Sequence, residues 1–407
     1  MFEKPSTRTI GEEDKGKTAW AVGDEICVKL ESKELGTQTA TLKYNGVKFE
    51  IQDGNSLCYL DGEPVTAYAY YAPNRRWRND GNLGYKDGEH DGTAEFLEAT
   101  CTVHYGDDNY IDISFANVTR NYSRLRIATL PNEQITVDTE YFTPAGSSDM
   151  EQNGNYTLTS DEKGNAYLYG TFENNSEVTV KYREAALTTY TFSQATESAK
   201  SYALDATVIS ANSAEEIKSA IEQKVADGKT TIRLNLAPNA GTDEFMAIRE
   251  AIKGAAPNDE GTIELTIIGV ETIPEEAFKR MSQLKSVKMP DVKEIKKYAF
   301  SECTYLTVVE APSLNKLNSG AFNKCNLLSK LTFGPINYAD ARYWPIFEDI
   351  TPNIDLILSD YQKEMIKTDD DLYTANNDID YALSNKHLNK NFLGHEFKSI
   401  TCRMKVE

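Results

Sequence analysis

Three consecutive segments near the C-terminus, Val270–Asp291, Val292–Ser313 and Leu314–Pro335, superimpose position for position over 22 residues each. Ile273, Ile295 and Leu317 share one register, and Ala277-Phe278, Ala299-Phe300 and Ala321-Phe322 share the next. Leu284, Leu306 and Leu328 follow, then Val287, Val309 and Leu331. A unit this short cannot bury its apolar side alone, so it stacks on its neighbours and the copies build a solenoid around one continuous core. Such an architecture offers a broad exposed surface rather than a catalytic cleft, which points to binding.

Within each unit the apolar runs Leu284–Met289, Leu306–Ala311 and Leu328–Phe333 read as short strands. Pro274–Phe278 reads as a single helical turn, with Pro at the favoured first position. Upstream, Ser213-Ala214-Glu215-Glu216 forms a capping box, and Ile217, Ala220, Ile221 and Val225 keep helical spacing up to Gly228. Thr230–Leu236 is a strand, Thr242–Lys253 a second helix closed by Gly254, and Thr262–Ile268 a second strand. These pairs suit an N-terminal cap on the repeats. After residue 335 the period is lost. Pro345, Pro352, a helix near Ser359–Ile366 and the run Asp369–Asp371 then predict an irregular C-terminal cap.

The first half reads as β. Ile26, Val28 and Leu30 alternate after the turn Gly23-Asp24, and Thr39–Tyr44 and Val47–Ile51 flank Asn45-Gly46, a strong hairpin signal. Val65–Tyr71 alternates until Pro73. Residues 74–93 hold four Gly and read as a long loop. Strands resume at Phe96–Tyr105, Tyr110–Phe115, Ser123–Leu130, Thr136–Phe142, Asn155–Thr159, Ala166–Phe172 and Glu177–Arg183. Asp107-Asp108-Asn109 makes one of the turns between them. Short strands at this spacing indicate a β-sandwich region. The expected fold is therefore mixed: an all-β sandwich region over residues 1–205, then a short α/β repeat solenoid with caps over residues 206–407.

The 63 acidic side chains outnumber the 43 basic ones, a net charge of −20 that repels nucleic acid and anionic lipid. The densest basic run, Arg75-Arg76-Trp77-Arg78, is too short to override it. No apolar stretch approaches the roughly 18 residues that a membrane helix needs. Residues 1–18 are polar and read as the start of a mature domain.

The six cysteines contain no C-x-x-C pair. Cys303 and Cys325 fall on the repeat position of Met281 and read as rungs of a buried ladder, and Cys27 and Cys101 as small buried side chains in strands. Of the four histidines, His90, His104, His387 and His395, none sits in a metalloprotease motif, and His104 reads as a structural residue of a strand. No nucleophile elbow or phosphate loop is present either. Asp80–Asp91 and Asp369–Asp371 read as solvated charge runs rather than Ca²⁺ loops. The chain is therefore read as non-enzymatic, with no metal and no cofactor.

The 22-residue units, with their I-x-x-x-A-F, C-x-x-L and V/L positions, resemble the BspA-like class of leucine-rich repeats found on bacterial and protist surfaces. The segment Gly394–Ile400 resembles the closing strand of such proteins from Bacteroidetes. Four elements of the N-terminal half resemble fimbrillin-like surface proteins of the same bacteria. They are Thr7-Arg8-Thr9; Trp20 with Gly23, Asp24 and Ile26; Ala94-Glu95-Phe96-Leu97-x-Ala99; and Ile113-x-Phe115 followed by Ser123–Ile127. That family usually carries a His between Phe115 and Ser123, where this chain has Asn117 and Asn121. The resemblance implies two sequential β-sandwich lobes and export to the cell surface or outer membrane as a lipoprotein whose lipid anchor lies outside this chain. It also implies a role in adhesion or pilus assembly, with fimbrial subunits as partners.

Two surfaces are candidate partner-binding sites. If Val287 and Met289 face the core, Ser286 and Lys288 face out, and their equivalents are Val308 and Glu310, then Lys330 and Thr332. The second is the aromatic and basic stretch Tyr70, Tyr71, Arg75, Arg76 and Trp77, residue types enriched where partners bind. The expected function is cell-surface adhesion through a protein or glycan ligand. The alternative is glycan capture for a nutrient uptake system, through aromatic platforms that stack on sugar rings.

Overall fold

The computed structural model describes residues 19–52, 57–106, 109–115, 120–183, 185–211, 213–256, 258–339, 345–359, 391–393 and 395–403. Several sequence features lie outside the described residues: Thr7-Arg8-Thr9, Asp107-Asp108, Asn117, most of the helix expected near Ser359–Ile366, Asp369–Asp371, His387 and Gly394. The chain divides into two compact units, Met1–Thr207 and Val208–Glu407. The first is β-rich, and the second contains the repeats.

The first unit contains two main sheets. One has five antiparallel strands in the order Phe49–Ile51, Gly36–Tyr44, Glu25–Ser32, Val65–Tyr71, Leu97–Glu98. The alternation of Ile26 and Val28 puts both on the face shared with Ala69, Tyr71 and Leu97. Cys101, Ile113 and Phe115 pack against this core from the hairpin of Thr100–His104 and Tyr110–Ser114. Cys27 is buried as expected, and Cys101 only partly. Trp20 packs against this core, its ring edge-on to Phe49 at 5.0 Å, Phe115 at 5.2 Å and Tyr71 at 5.5 Å. The Asn45-Gly46 hairpin forms with Leu42 opposite Ile51, but through a longer connection than two residues. Asn45 Oδ1 accepts from the N–H groups of Val47 and Lys48, both at 2.9 Å, and Gly46 takes φ +102°.

The reading of residues 74–93 as a loop is corrected. Arg75–Trp77 and Leu83–Tyr85 pair as a hairpin, with Arg75 opposite Tyr85 and Trp77 opposite Leu83. Its strands are too short for alternation to show, and side-chain contacts rather than strand propensity hold them.

The second sheet of this unit has the order Ala185–Thr191, Glu177–Tyr182, Gln134–Pro144, Asn165–Phe172, Ser123–Ala128, Ser201–Asp205, and Glu151–Thr159 also pairs with Gln134–Pro144. Leu125, Ile127, Val137, Phe142, Leu168, Phe172, Val178 and Val180 are buried along it. The final pair is parallel, Arg124 lying opposite Ser201.

The second unit is built on an eight-stranded parallel sheet: Ile209–Ala211, Thr231–Leu236, Ile263–Ile268, Leu284–Lys288, Val308–Ala311, Lys330–Phe333, Asp355–Ser359 and Ser399–Arg403, in that order. Helix α1 (Ala214–Ala226) starts at Ser213, whose hydroxyl accepts from the Glu216 N–H at 3.3 Å. Helix α2 (Thr242–Ala255) runs through Gly254, and the Ala256 N–H closes it on the Ile252 carbonyl, so Gly254 does not stop it. Ile217 and Ile221 of α1, and Phe245, Ile248 and Ile252 of α2, join the core of the repeats.

That core has the register of the repeats. Ile273, Ile295 and Leu317, Phe278, Phe300 and Phe322, and Val287, Val309 and Leu331 are all fully buried. Met281, Cys303 and Cys325 form the expected ladder. The Cys303 thiol donates to the Phe278 carbonyl and the Cys325 thiol to the Phe300 carbonyl, each at 3.0 Å.

Two expectations are corrected here. Pro274–Phe278 closes one turn, with the Ala277 N–H on the Pro274 carbonyl at 3.3 Å, but Glu276 takes left-handed φ there and no helix forms. Instead the N–H groups of Glu276, Phe278 and Arg280 donate to the carbonyls of Lys297, Ala299 and Ser301 in the next repeat, and Tyr298, Phe300 and Glu302 repeat this one unit on. Stacking thus supplies the partners that an isolated helix would have to find within itself. Glu276, Arg280, Tyr298 and Glu302 adopt left-handed φ between 54° and 60° to do so. The stack also continues past residue 335. Tyr338–Ala339 extends a second, four-stranded parallel sheet formed with Thr272–Ile273, Glu294–Ile295 and Lys316–Leu317. Asp355 then pairs with Lys330, and Phe347 stacks on Phe322, each 25 residues further along rather than 22. The longer unit hides a rung that a strict period misses. The closing strand expected from Gly394–Ile400 is Ser399–Arg403, paired in parallel with Asp355–Ser359.

Candidate functional site

The strand register carries the outward residues of the repeats into straight columns. Ser286 lies opposite Val308 and Val308 opposite Lys330. In the adjacent column Lys288 lies opposite Glu310 and Glu310 opposite Thr332. All six are partly exposed, while Val287, Val309 and Leu331 between them are buried. Adjacent strands lie about 4.8 Å apart, so each column is a row of evenly spaced side chains. The columns run further than the repeats suggested. Glu264 and Thr266 precede them, Thr266 being buried, and Asp355 and Ile357 extend them. The strands at Ile263–Ile268 and Asp355–Ser359 fall outside the strict 22-residue units, which is why those four residues were missed. The strand expected over Thr262–Ile268 was the signal that could have found the first pair.

Charges alternate along this face. Lys288 Nζ sits 3.6 Å from Glu310 Oε2, and Lys285 Nζ 2.8 Å from Glu264 Oε1. Lys398 Nζ lies 2.8 Å from Asp355 Oδ2, and the Ser399 hydroxyl donates to Asp355 Oδ1 at 2.6 Å. These two bonds hold the Asp355 carboxyl below its ordinary pKa. Exposed pairs of this kind contribute about 0–1 kcal/mol each. They do not hold the sheet together, but they set the charge pattern that a partner would meet.

The aromatic and basic stretch of the first unit turns mostly inward. Tyr71 is 9% exposed and meets Trp20. The Arg75 guanidinium lies 4.7 Å from the Phe96 ring centroid and 5.0 Å from that of Tyr85, is paired with Asp91, and donates to the Gly146 carbonyl at 3.1 Å. Tyr70 stacks on Phe96 at 5.6 Å, and burial pushes its phenol up to about 12. The Trp77 indole N–H donates to the Ala40 carbonyl at 3.0 Å. Arg76 stays exposed, 2.9 Å from Asp87. These side chains brace the hairpin, and Arg76 is the most exposed of the five. Asp87 and Asp91 of the acidic run are likewise engaged with arginines.

His104 stacks on Tyr110 at 4.3 Å and meets Asp112 Oδ2 at 3.1 Å. His395 packs between Phe347 and Phe397. Among the described residues no group of three His, Cys, Asp or Glu side chains is placed to hold a metal ion, and no helix is long and apolar enough to cross a membrane.

Residues 262–343, about a fifth of the chain, match the family model described as "BspA type Leucine rich repeat region (6 copies)". Among solved structures, the chain is similar to what is called a "putative cell adhesion protein" from Bacteroides uniformis ATCC 8492. The identity is 12% and the TM-score 0.29, covering 48% of this chain and 90% of that one. A TM-score this low does not establish a shared fold. No curated protein matches the chain.

Proposed function

We propose that this is a non-enzymatic cell-surface adhesion protein whose solenoid contacts its partner through the outer face of the eight-stranded sheet. The observation that carries the reading is the pair of in-register columns, Ser286–Val308–Lys330 and Lys288–Glu310–Thr332, on a rigid scaffold. A flat face with alternating charge suits a protein partner such as a host or matrix protein, or a surface protein of another bacterium, more than a small molecule. The match to BspA-type repeats supports placement at the cell surface. The fimbrillin resemblance supports a positioning role for the first unit, on an outer-membrane lipid anchor or within a fimbrial assembly. The second reading is glycan capture for nutrient uptake through Tyr70, Tyr71, Arg75 and Trp77; the contacts of Tyr71 with Trp20 and of Arg75 with Phe96 and Asp91 favour the sheet face over it.

The test is an array of matrix and bacterial surface proteins probed with the intact chain and with the triple variant Lys288→Glu, Glu310→Lys, Lys330→Glu. The reading expects a partner whose binding the triple variant weakens, with the loss shrinking as salt rises. Binding that the variant leaves untouched would move the site off this face.

A further inference from the structure

The three 22-residue repeats carry 10 basic and 7 acidic side chains, a net +3 in a chain of net charge −20. Cations from α2 and the first repeat gather where that helix meets the turn after Pro274. Arg249 and Lys253 are four apart on α2, so they share one helix face. Arg249 Nη1 donates to the Glu276 carbonyl at 3.3 Å, which brings this face against the segment that ends in Arg280. Burial lowers the pKa of the Lys253 ammonium, and the like charges of Arg249 and Arg280 lower it further. Both guanidiniums therefore stand within electrostatic reach of Lys253.

The neighbouring carboxylates are committed to other cations. Glu276 is paired with Lys279, Glu250 lies 3.7 Å from Lys218, and Glu302 lies 3.0 Å from Arg280 Nε. Among the described residues no carboxylate is paired with Arg249 or Lys253. Like charges at this spacing destabilise a helix, and burial makes the repulsion stronger than it would be in water. The dipole of α2 accounts for one cation in its last turn, Lys253, but not for the two arginines around it. An excess of positive charge held on a helix and a rigid turn is completed by an anionic ligand.

We propose that Arg249, Lys253 and Arg280 form a binding site for a tetrahedral oxyanion, a sulfate or phosphate group that is either a free ion or an ester on a sugar. All three side chains are donors only. A guanidinium matches the oxygens of such a group two at a time, and an ammonium adds a compact charge. The group presents three acceptor oxygens to three cations, where a carboxylate has two. Arg249 and Lys253 are half-buried and Arg280 is exposed, so a ligand reaches them from water and meets less competition from it than on an open surface. The site uses none of the residues in the sheet-face columns and is independent of them.

The experiment is equilibrium dialysis of the intact chain against radiolabelled sulfate and, separately, phosphate at fixed ionic strength, with glucose 6-sulfate and glucose 6-phosphate as competitors. The proposal expects saturable binding of at least one of the two ions. It expects an affinity about tenfold weaker for Lys253→Met and for Arg249→Met. Lys330→Met removes the same charge from the sheet face and should change nothing. Lys253→Met should keep or raise the thermal midpoint of the unliganded chain, because it relieves repulsion. If it fails to fold, Arg280→Gln, on an exposed side chain, gives the reading instead. A sugar ester that binds more tightly than its free ion identifies the ester as the ligand, and one that does not identifies the ion. No saturable binding of either ion overturns the proposal. So does binding that survives unchanged in all of the site variants that fold.

Discussion

The ring of Phe300 lies 5.5 Å from that of Phe322, with the two planes only 7° apart. Phe278 stacks on the other side of Phe300 at 5.2 Å, and Phe245 of α2 meets Phe278 edge-on at 5.7 Å. One column of aromatic rings thus connects the helical cap to the repeats. Phe300→Ala opens a hole with neighbours on both sides, and the expected cost is about 3–5 kcal/mol. Phe278→Ala and Phe322→Ala should behave alike in chemical denaturation. A Phe300→Ala midpoint equal to that of the parent protein would refute the column.

The cysteine ladder predicts selective reactivity. Cys303 and Cys325 are fully buried and donate to main-chain carbonyls, and burial raises the Cys325 thiol well above its ordinary pKa. Thiolates are the reactive form. A thiol reagent should modify the exposed Cys58 in the native chain and reach Cys303 and Cys325 only on unfolding. Peptide mapping before and after denaturation checks this.

His395 makes the second unit sensitive to acid. Burial between Phe347 and Phe397 lowers its pKa from the ordinary 6.5. The unfolded chain therefore binds the proton more readily than the folded one, and linkage removes stability as pH falls. His395 contributes fully above about pH 6.5, and its contribution is lost as pH falls through the lowered value. His395→Gln should flatten the fall in thermal midpoint between about pH 7 and 5. An unchanged slope in that variant would rule His395 out as the source.

Gly92 should not tolerate a side chain. Its φ is +77°, and an added Cβ would meet the Tyr169 carbonyl oxygen at 3.1 Å and Phe142 Cε1 at 3.2 Å. Gly92→Ala should cost about 1–3 kcal/mol and loosen the contact of Gly92 with the strand Asn165–Phe172. Hydrogen exchange at the Tyr169 amide, which donates to Gly92, reports it directly.

The charge pattern on the sheet face should matter little for folding. Lys288→Glu places two carboxylates side by side where an ion pair stood. The expected destabilisation is below about 1 kcal/mol because both groups face water. The double variant Lys288→Glu, Glu310→Lys should restore the parent stability. A larger loss in thermal melting would mean that the pair is structural.

The repeat register was legible in the sequence because every copy must bury the same positions. Ile273, Phe278, Cys303 and Val309 could be assigned to the core without coordinates. The outward phase of Lys288 and Glu310 followed from the two-residue period of a strand. The Ser213 cap of α1 and the alternation of Ile26 and Val28 were equally local signals, set by a few neighbouring residues. What only the tertiary structure decided depends on partners distant in sequence. The turn at Pro274–Phe278 is not helical because Glu276 takes left-handed φ and the N–H groups of Glu276 and Phe278 find carbonyls one repeat away. The rung at Phe347 exists because its ring fits onto Phe322, although 25 residues separate them. Arg75 looked like a contact residue by type, yet Phe96, Asp91 and Gly146 draw it inside. Tyr167 and Tyr169 were readable as two residues on one face of a strand. That Tyr169 meets Gly92 depends on a close backbone approach that a side chain would crowd, and a contact across so many residues leaves no local pattern.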